Sequence, residues 1–472
     1  MGLVQIIASI IAALLIGLFT RGALRTYSLL ALSVLAVYWF QPALPLRSFD
    51  FWLPSVSLAL TLFTWAIISR PGTWTLRQNI AGLLIIVGLV TFLDLSRFLP
   101  EPLITATTPP QFFQYLAFVL VLALLVATGV GALSRPAWLL GGTILLLITL
   151  LVILKTPSLS LQASMFFRAL ANRPVENAAF TDLRWLGFSY IAFRLIHVLR
   201  DRQMGRLPEL SLPEFATYVV FFPALVAGPI DRAERFTRDL RQEFALTQEE
   251  TLLGGQRIVL GLFKKFVIAD TLALIALNDA LAVQVRTTGW MWVIVYAYTF
   301  QIYFDFSGYT DIAIGIARLV GIKLPENFAA PYLRPNLTQF WNSWHMTLTQ
   351  WFRAYFFNPF NRWMRGLQSV PAWTMIFAGQ VATMLLIGLW HGITPNFILW
   401  GLWHGCGLFL QNRWSDFLRT RYPIAGQPAR LQPVLQISGI LLTFHFVAAG
   451  WVFFALSEPT LSWMVIGKLF GL

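Results

Sequence analysis

Cysteine is nearly absent: Cys406 stands alone among 472 residues. One thiol excludes an internal disulfide framework and any cysteine-based zinc site. Charge is scarce as well, at 12% of residues, where a soluble globular protein carries roughly a quarter. Two catalytic signatures are missing. There is no G-x-S-x-G to present a serine nucleophile and no H-E-x-x-H to hold a catalytic zinc. The first apolar segment lacks the basic run that opens a secretory signal, and more apolar stretches follow at once, so it is expected to be a retained helix. Gly2 is not expected to be myristoylated, because Ile6 stands where serine or threonine is favoured. No soluble domain, low-complexity tract or long-period repeat stands out.

What is present is apolar: 57% of residues are hydrophobic and 15% aromatic, with a mean hydropathy of +0.68. Stretches near the roughly twenty residues that cross a bilayer as helix recur along the chain. They include 4–20, 51–68, 80–99, 112–131, 138–154, 218–230, 375–389 and 434–456. The runs are continuous and do not alternate, which predicts helices and excludes a barrel. The expected fold is an all-α polytopic integral membrane protein of about a dozen helices. The net charge of +13 reads as cytoplasmic loops rich in Lys and Arg, not as a nucleic-acid partner. Its clusters are Arg200/Arg202/Arg206, Arg232/Arg235/Arg238/Arg241, Lys264/Lys265 and Arg413/Arg419/Arg421.

Four regions follow from the shifts in composition. Residues 1–155 are apolar helices joined by short loops such as 41–50 and 69–79. Residues 156–181 turn polar and lose periodicity, which predicts a loop. Residues 182–412 place polar and ionisable groups inside aromatic segments, and 413–472 return to apolar helix. Within 231–250, Phe236, Leu240 and Phe244 fall at i, i+4 and i+8. That spacing fits an amphipathic helix on the membrane surface or a solvated loop helix.

Five histidines, His197, His345, His391, His404 and His445, all lie in apolar or aromatic surroundings. A lone polar group in a membrane is usually a packed helix contact, so clustering decides which of them matter. Residues 301–360 gather Asp305, Ser307, Tyr309, Thr310, Asp311, Glu326 and Asn327 in an aromatic run. Asp305 and Tyr309 share a helical face. The piece "KLPENFAAPYLRP" holds three prolines and cannot be a regular spanning helix. In "FWNSWHMTLTQWF" a returning helical pattern sets Trp341, Trp344, His345, Leu348 and Phe352 on one side. An imidazole is the side chain best suited to accept a proton near neutrality. A pair of them in a hydrated cavity suits acyl transfer to a hydroxyl, directly from a thioester donor.

The motif "GLWHG" occurs twice, at 388–392 and 401–405. On one continuous helix the second histidine would sit about 220° round and about 20 Å along from the first. Pro395 is expected to break such a helix. His404 therefore reads as a packing or supporting residue, and His197 and His445 as structural.

These segments together resemble the membrane-bound O-acyltransferase family, in its bacterial polysaccharide-modifying branch. The likeness runs through "LGFSYIAFR" (186–194), "FFPALVAGPIDRAERF" (221–236), "GLFKKFVIAD" (261–270) and "YFDFSGYTDIAIG" (303–315). It continues through "PENFAAPYL" (325–333), "FWNSWHMTLTQWFR" (340–353) and "GLWHG" (388–392). The pieces "GLFKKFVIAD" and "YFDFSGYTD" are similar to the membrane subunits that O-acetylate alginate, while "GPIDRAERF" and "WNSWHM" are similar to D-alanyl transferases of teichoic acids. After "WFRAYFFNPF" the chain departs from the alginate-type pattern with "NRWMRGLQSV" (361–370), and the first 155 residues match no family motif.

The resemblance implies a bundle around a central funnel, with surface and re-entrant helices. It implies His391 as general base on the acceptor hydroxyl and His345 as its assistant. Asp305, Tyr309, Asn342, Trp344 and Trp390 are the expected substrate-binding or supporting residues, with no metal and no bound cofactor. The expected co-substrate is an acyl thioester, acetyl-CoA or an acyl carrier protein, reached from the cytosolic side. The expected acceptor is an extracytoplasmic polymer, with periplasmic or surface accessory proteins as partners, membrane lipids around the chain, and the bacterial cytoplasmic membrane as its location. Transfer of D-alanyl from a carrier protein is the nearest alternative. A transporter or an inactive scaffold is the more distant one; a transporter is disfavoured because paired broken segments in two halves are lacking.

Overall fold

The computed structural model describes residues 2–69, 76–131, 137–367, 370–421 and 431–472. Parts of the expected 69–79 loop, of 361–370 and of 413–472 lie outside the described residues. Every regular element among the described residues is helical. In chain order they begin α1 (Leu3–Phe19), α2 (Gly22–Trp39), α3 (Phe49–Ile68), α4 (Leu76–Leu95), α5 (Phe112–Gly131) and α6 (Ala137–Lys155). Next come α7 (Pro157–Leu170), α8 (Phe188–Gln203), α9 (Leu212–Val220), α10 (Ala233–Arg241), α11 (Gln248–Leu262), α12 (Asp270–Ala273) and α13 (Asp279–Gln284). The chain continues as α14 (Thr288–Leu319), α15 (Leu337–Trp341), α16 (Met346–Phe352) and α17 (Asn358–Gly366). It closes with α18 (Ala372–His391), α19 (Pro395–Arg421), α20 (Gln432–Ala455) and α21 (Pro459–Leu469).

Seven of these, α2 to α6, α18 and α20, are long and apolar enough to cross a membrane, and α1 is a shorter apolar helix. These are counted among the described residues, by length and composition. The helices α14 and α19 are longer, at 32 and 27 residues, but carry acidic and basic side chains. The contacts divide the chain into two units, residues 1–259 with 312–325 and residues 260–311 with 326–472.

In the first unit three expectations are corrected. The stretch 156–181 is not simply a loop, because it opens with α7. Pro157 occupies the first turn, where its missing N–H costs nothing. The buried face of α7 is polar: Ser160, Ser164 and Arg168. Ser160 donates to the Phe180 carbonyl at 2.8 Å, while Ser164 and Arg168 Nε donate to Asp182 at 2.7 and 2.9 Å. A helix that buries polar groups shows no apolar periodicity, which is why the sequence pattern missed it.

The 218–230 stretch is not a span. The helix α9 stops at Val220, and one 3-10 turn, Phe222–Ala224, follows around Pro223. The buried Arg194 guanidinium donates to the carbonyls of Val219 and Ala224, both at 2.8 Å, and so satisfies the irregular backbone.

The helix expected over 231–250 ends at Arg241. Arg25, buried on α2, donates to the carbonyls of Asp239, Leu240 and Gln242 at 2.8–3.1 Å. A cation on the exposed carbonyls of a helix C-terminus is a stable stop. Phe236 and Leu240 are buried within the unit, with the Phe236 ring 5.0 Å from that of Phe221.

In the second unit, π-helical turns span Phe263–Ala269. Gly308 lets α14 approach them, since a Cβ there would lie 2.9 Å from the Lys265 backbone nitrogen. Two ion pairs join the same surfaces, Lys264 to Asp311 at 2.7 Å and Lys265 to Asp305 at 2.5 Å. The helices α18 and α19 form an antiparallel hairpin. Their contact surface is made of glycine: a Cβ on Gly401 would lie 2.8 Å from Leu385 Cα, and one on Gly405 2.8 Å from Val381 Cα. Small residues of this kind let helix backbones touch in a membrane, where apolar burial between helices adds little.

Candidate functional site

The GLWHG of 388–392 ends α18, so His391 is its last helical residue and Gly392 continues in extended backbone. Pro395 then opens α19 rather than interrupting it. Gly388 permits the tight return, because a Cβ there would lie 2.3 Å from the Phe397 carbonyl oxygen. The His391 ring is half-buried among Trp390 (4.5 Å between centroids), Phe454 (4.7 Å), Phe397 (5.9 Å) and Trp400 (5.9 Å).

His345 is held differently. The continuous helix expected through 340–352 is broken: α15 stops at Trp341, α16 begins at Met346, and His345 between them takes a left-handed backbone, φ 41° and ψ 55°. Its ring contacts Phe306 and Trp390, whereas Trp341 contacts Trp400 and His404. Two backbone bonds to the proline-rich segment fix this turn, Ala329 N–H to the Ser343 carbonyl at 3.0 Å and Met346 N–H to the Asn327 carbonyl at 2.9 Å. The Asn327 side chain also accepts the Thr347 hydroxyl at 2.6 Å. A non-glycine residue in this region costs about 1–3 kcal/mol and persists only where its surroundings impose it. His345 is 4% exposed, and neither ring nitrogen has a hydrogen-bond partner among the described residues.

The two histidine segments meet at Trp390, whose ring lies 6.3 Å from that of His345 and 4.5 Å from that of His391. Of the expected supporting residues, Trp390 is thus the one in ring contact with both. Trp344 is buried beside Phe340 and Trp451, at 5.7 and 5.0 Å, and braces the broken segment. Asn342 accepts a hydrogen bond from Arg353 at 2.5 Å. Asp305 is engaged with Lys265, and Tyr309 is buried further along α14. It is Phe306, between those two in sequence, that touches the His345 ring, at 4.7 Å.

Sequence reasoning passed over Phe306, Trp400 and the cleft beside them. Trp400 faces His391 at 5.9 Å and His404 at 4.9 Å. Its only sequence signal is its place one residue before the second GLWHG. His404 is fully buried in an aromatic cage of Trp341, Trp400, Phe446 and Trp451. A cleft of about 190 Å³ runs past Thr338, Trp341, Asn342, Arg353, Gln380 and Ile387. Arg353 is one of its polar lining residues, and Ile387 lies one helical turn before His391. His445 bonds Tyr296 at 2.8 Å, and His197 pairs with Asp201 at 3.1 Å. Among the described residues no three His, Cys, Asp or Glu side chains gather to hold a metal ion.

Two imidazoles on aromatic walls, one fixed by a helix end and one by a strained turn, can accept and hand on a proton in a place that restricts water. The cleft's hydroxyl, amide and guanidinium donors can orient a polar substrate towards them.

Comparison with known proteins shows the family. The model of the MBOAT, membrane-bound O-acyltransferase family matches residues 18–432. The teichoic acid D-alanyltransferase of Bacillus subtilis (strain 168) is 32% identical over 282 residues, 58% of this chain and 69% of that protein. The probable alginate O-acetylase AlgI of Azotobacter vinelandii is 34% identical over 290 residues, 61% of this chain and 54% of that protein. The peptidoglycan O-acetyltransferase of Helicobacter pylori is 33% identical over 265 residues, 55% of this chain and 47% of that protein. The chain thus spans about half the length of the two O-acetylating relatives. It belongs to the membrane-bound O-acyltransferase family and is a multi-pass membrane protein, all-α among the described residues.

Proposed function

Starting from that membership, we propose that the chain transfers an acyl group, acetyl in the first instance, from a cytosolic thioester to hydroxyls of an extracytoplasmic polysaccharide or other envelope polymer. The observation that supports the reading is the shared contact of the His345 and His391 rings with Trp390. His391 takes the proton of the acceptor hydroxyl as its oxygen attacks the thioester carbonyl. The C–S bond breaks, and the proton passes to the leaving thiolate. His345, from the facing wall, stabilises the charge that develops on the carbonyl oxygen. The cleft lined by Arg353 supplies the donor's approach. The donor is acetyl-CoA or an acylated carrier protein, the enzyme sits in the bacterial cytoplasmic membrane, and accessory proteins complete delivery to the polymer.

D-alanyl transfer is the second reading. It is favoured by the 69% of the Bacillus subtilis relative that the chain spans, the largest share among the three relatives compared. Mass spectrometry of acyl groups released by mild base from the surface polymer of expressing cells tests both. Acetyl supports the first reading and D-alanyl the second. Polymer identical to that of cells without the protein, with the protein present in the membrane, rejects both.

A further inference from the structure

The hairpin of α18 and α19 carries a one-sided distribution of charge. Between Arg353 and Arg421 the sequence holds six arginines, Arg353, Arg362, Arg365, Arg413, Arg419 and Arg421, and one acid, Asp416. Asp416 pairs with Arg413 at 2.7 Å. Arg362, Arg365, Arg419 and Arg421 are exposed, and none has an acidic partner among the described residues.

Their position follows from the hairpin register. Gly401 lies beside Leu385 and Gly405 beside Val381. Carried along both helices, that register sets Trp414 opposite Ala372, the first residue of α18. The 20 residues of α18 span about 30 Å, the thickness of the hydrocarbon core. The end of α19 beyond Trp414, with Arg419 and Arg421, therefore projects roughly 10 Å past it, into the headgroup layer. The short helix α17 leads into that end, since Gly366 closes it shortly before Ala372, and its Asn361 side chain lies 2.7 Å from where a Cβ of Gly379, in the first half of α18, would be. Met364 of α17 is buried, while Arg362 and Arg365 face outwards.

Exposed aromatics accompany these arginines: Trp363 at 61%, Trp414 at 60%, Trp373 at 55% and Phe417 at 53%. Indoles beside guanidinium groups at a span's end match the headgroup level of a bilayer. We propose that α17 and the α18–α19 end form a binding surface for anionic phospholipid headgroups on the cytosolic leaflet, with Arg362, Arg365, Arg419 and Arg421 as the phosphate-facing cations. The aromatics favour a lipid occupant over an acidic protein, because an acidic protein surface would leave four large rings without an apolar partner. Each such cation strengthens attachment to an anionic leaflet roughly fivefold.

Native mass spectrometry of the full chain, released from detergent containing equal amounts of phosphatidylglycerol and phosphatidylcholine, tests the assignment. The expected result is retention of phosphatidylglycerol several-fold above phosphatidylcholine. The combined variant Arg362→Gln, Arg365→Gln, Arg419→Gln, Arg421→Gln should lose that preference, and the matching Arg→Lys variant should keep it. Equal retention of the two lipids by the unaltered protein overturns the proposal, whatever the variants do. So does a set of arginines needed for transfer from a carrier protein but not from a small thioester, with no lipid preference, which assigns the surface to an acidic protein. The leaflet is checked separately by Arg365→Cys in a Cys406→Ser background. A membrane-impermeant maleimide should label it only from the cytosolic side, and labelling from outside intact cells overturns the assignment.

Discussion

The rings of His345 and Trp390 meet edge to face, 6.3 Å between centroids and 71° between planes. Trp390 is the residue before His391, so this contact ties the strained turn after α15 to the last turn of α18. Proton transfer tolerates little error in distance, and displacement of about 1 Å from the reacting geometry is costly. The backbone features that hold the contact are therefore as testable as the imidazoles themselves.

His345 offers a separation of stability from chemistry. Its left-handed backbone is one that glycine adopts without penalty. His345→Gly is expected to keep or raise thermal stability, by up to about 1 kcal/mol from relieved strain, while acyl transfer falls at least tenfold. A melting curve and a turnover assay on the same preparation check this. Loss of both together would mean that the imidazole serves packing.

The glycine contact between α18 and α19 should not tolerate a methyl group. Gly401→Ala places a Cβ 2.8 Å from Leu385 Cα and is expected to cost about 1–3 kcal/mol, because backbone cannot move aside as a side chain does. Gly142→Ala on α6 meets nothing within 4 Å and should be neutral or slightly stabilising. Thermal unfolding followed by size-exclusion in detergent compares the two.

Asp182 makes the anchoring of α7 sensitive to acid. Burial pushes its carboxyl up, but hydrogen bonds from Ser164, Arg168 and the Ala179 N–H, with the charge of Arg168, bring it below the ordinary carboxylate value. A depressed value means stabilisation that is present above the unfolded carboxylate's pKa, about 3.9, and is lost as pH falls through the folded one. Hydrogen exchange in 157–183 should therefore stay slow at neutral pH and quicken below about pH 4. Asp182→Asn should remove most of that dependence.

The sequence was most legible where one physical rule dominated. Continuous apolar runs gave the spans of α3 to α6, α18 and α20, and the three prolines of 323–335 marked a segment that holds no α-helix, only one 3-10 turn at Pro331–Leu333. The two histidine segments were recognisable as motifs, and the structure sets both against Trp390. It was least legible where polar groups were satisfied inside the protein. The inward serines of α7 hid a helix, and Arg25 ended α10 from 214 residues away in sequence. The turn at His345 depends on hydrogen bonds to Ala329 and Asn327, so the local pattern of 340–352 gave no sign of it. Phe306 escaped notice because its neighbours Asp305 and Tyr309 carry the more conspicuous chemistry.

The central claim is that His391 accepts the proton of the acceptor hydroxyl. Its most direct test is thiol release from an acyl thioester by the purified, reconstituted enzyme in the presence of polymer, comparing the unaltered chain with His391→Ala. A positioned general base contributes roughly 10²–10⁴ in rate, so turnover should fall by that factor with the melting temperature unchanged. Turnover within a few-fold of the unaltered chain, from a variant that folds equally well, would contradict the account.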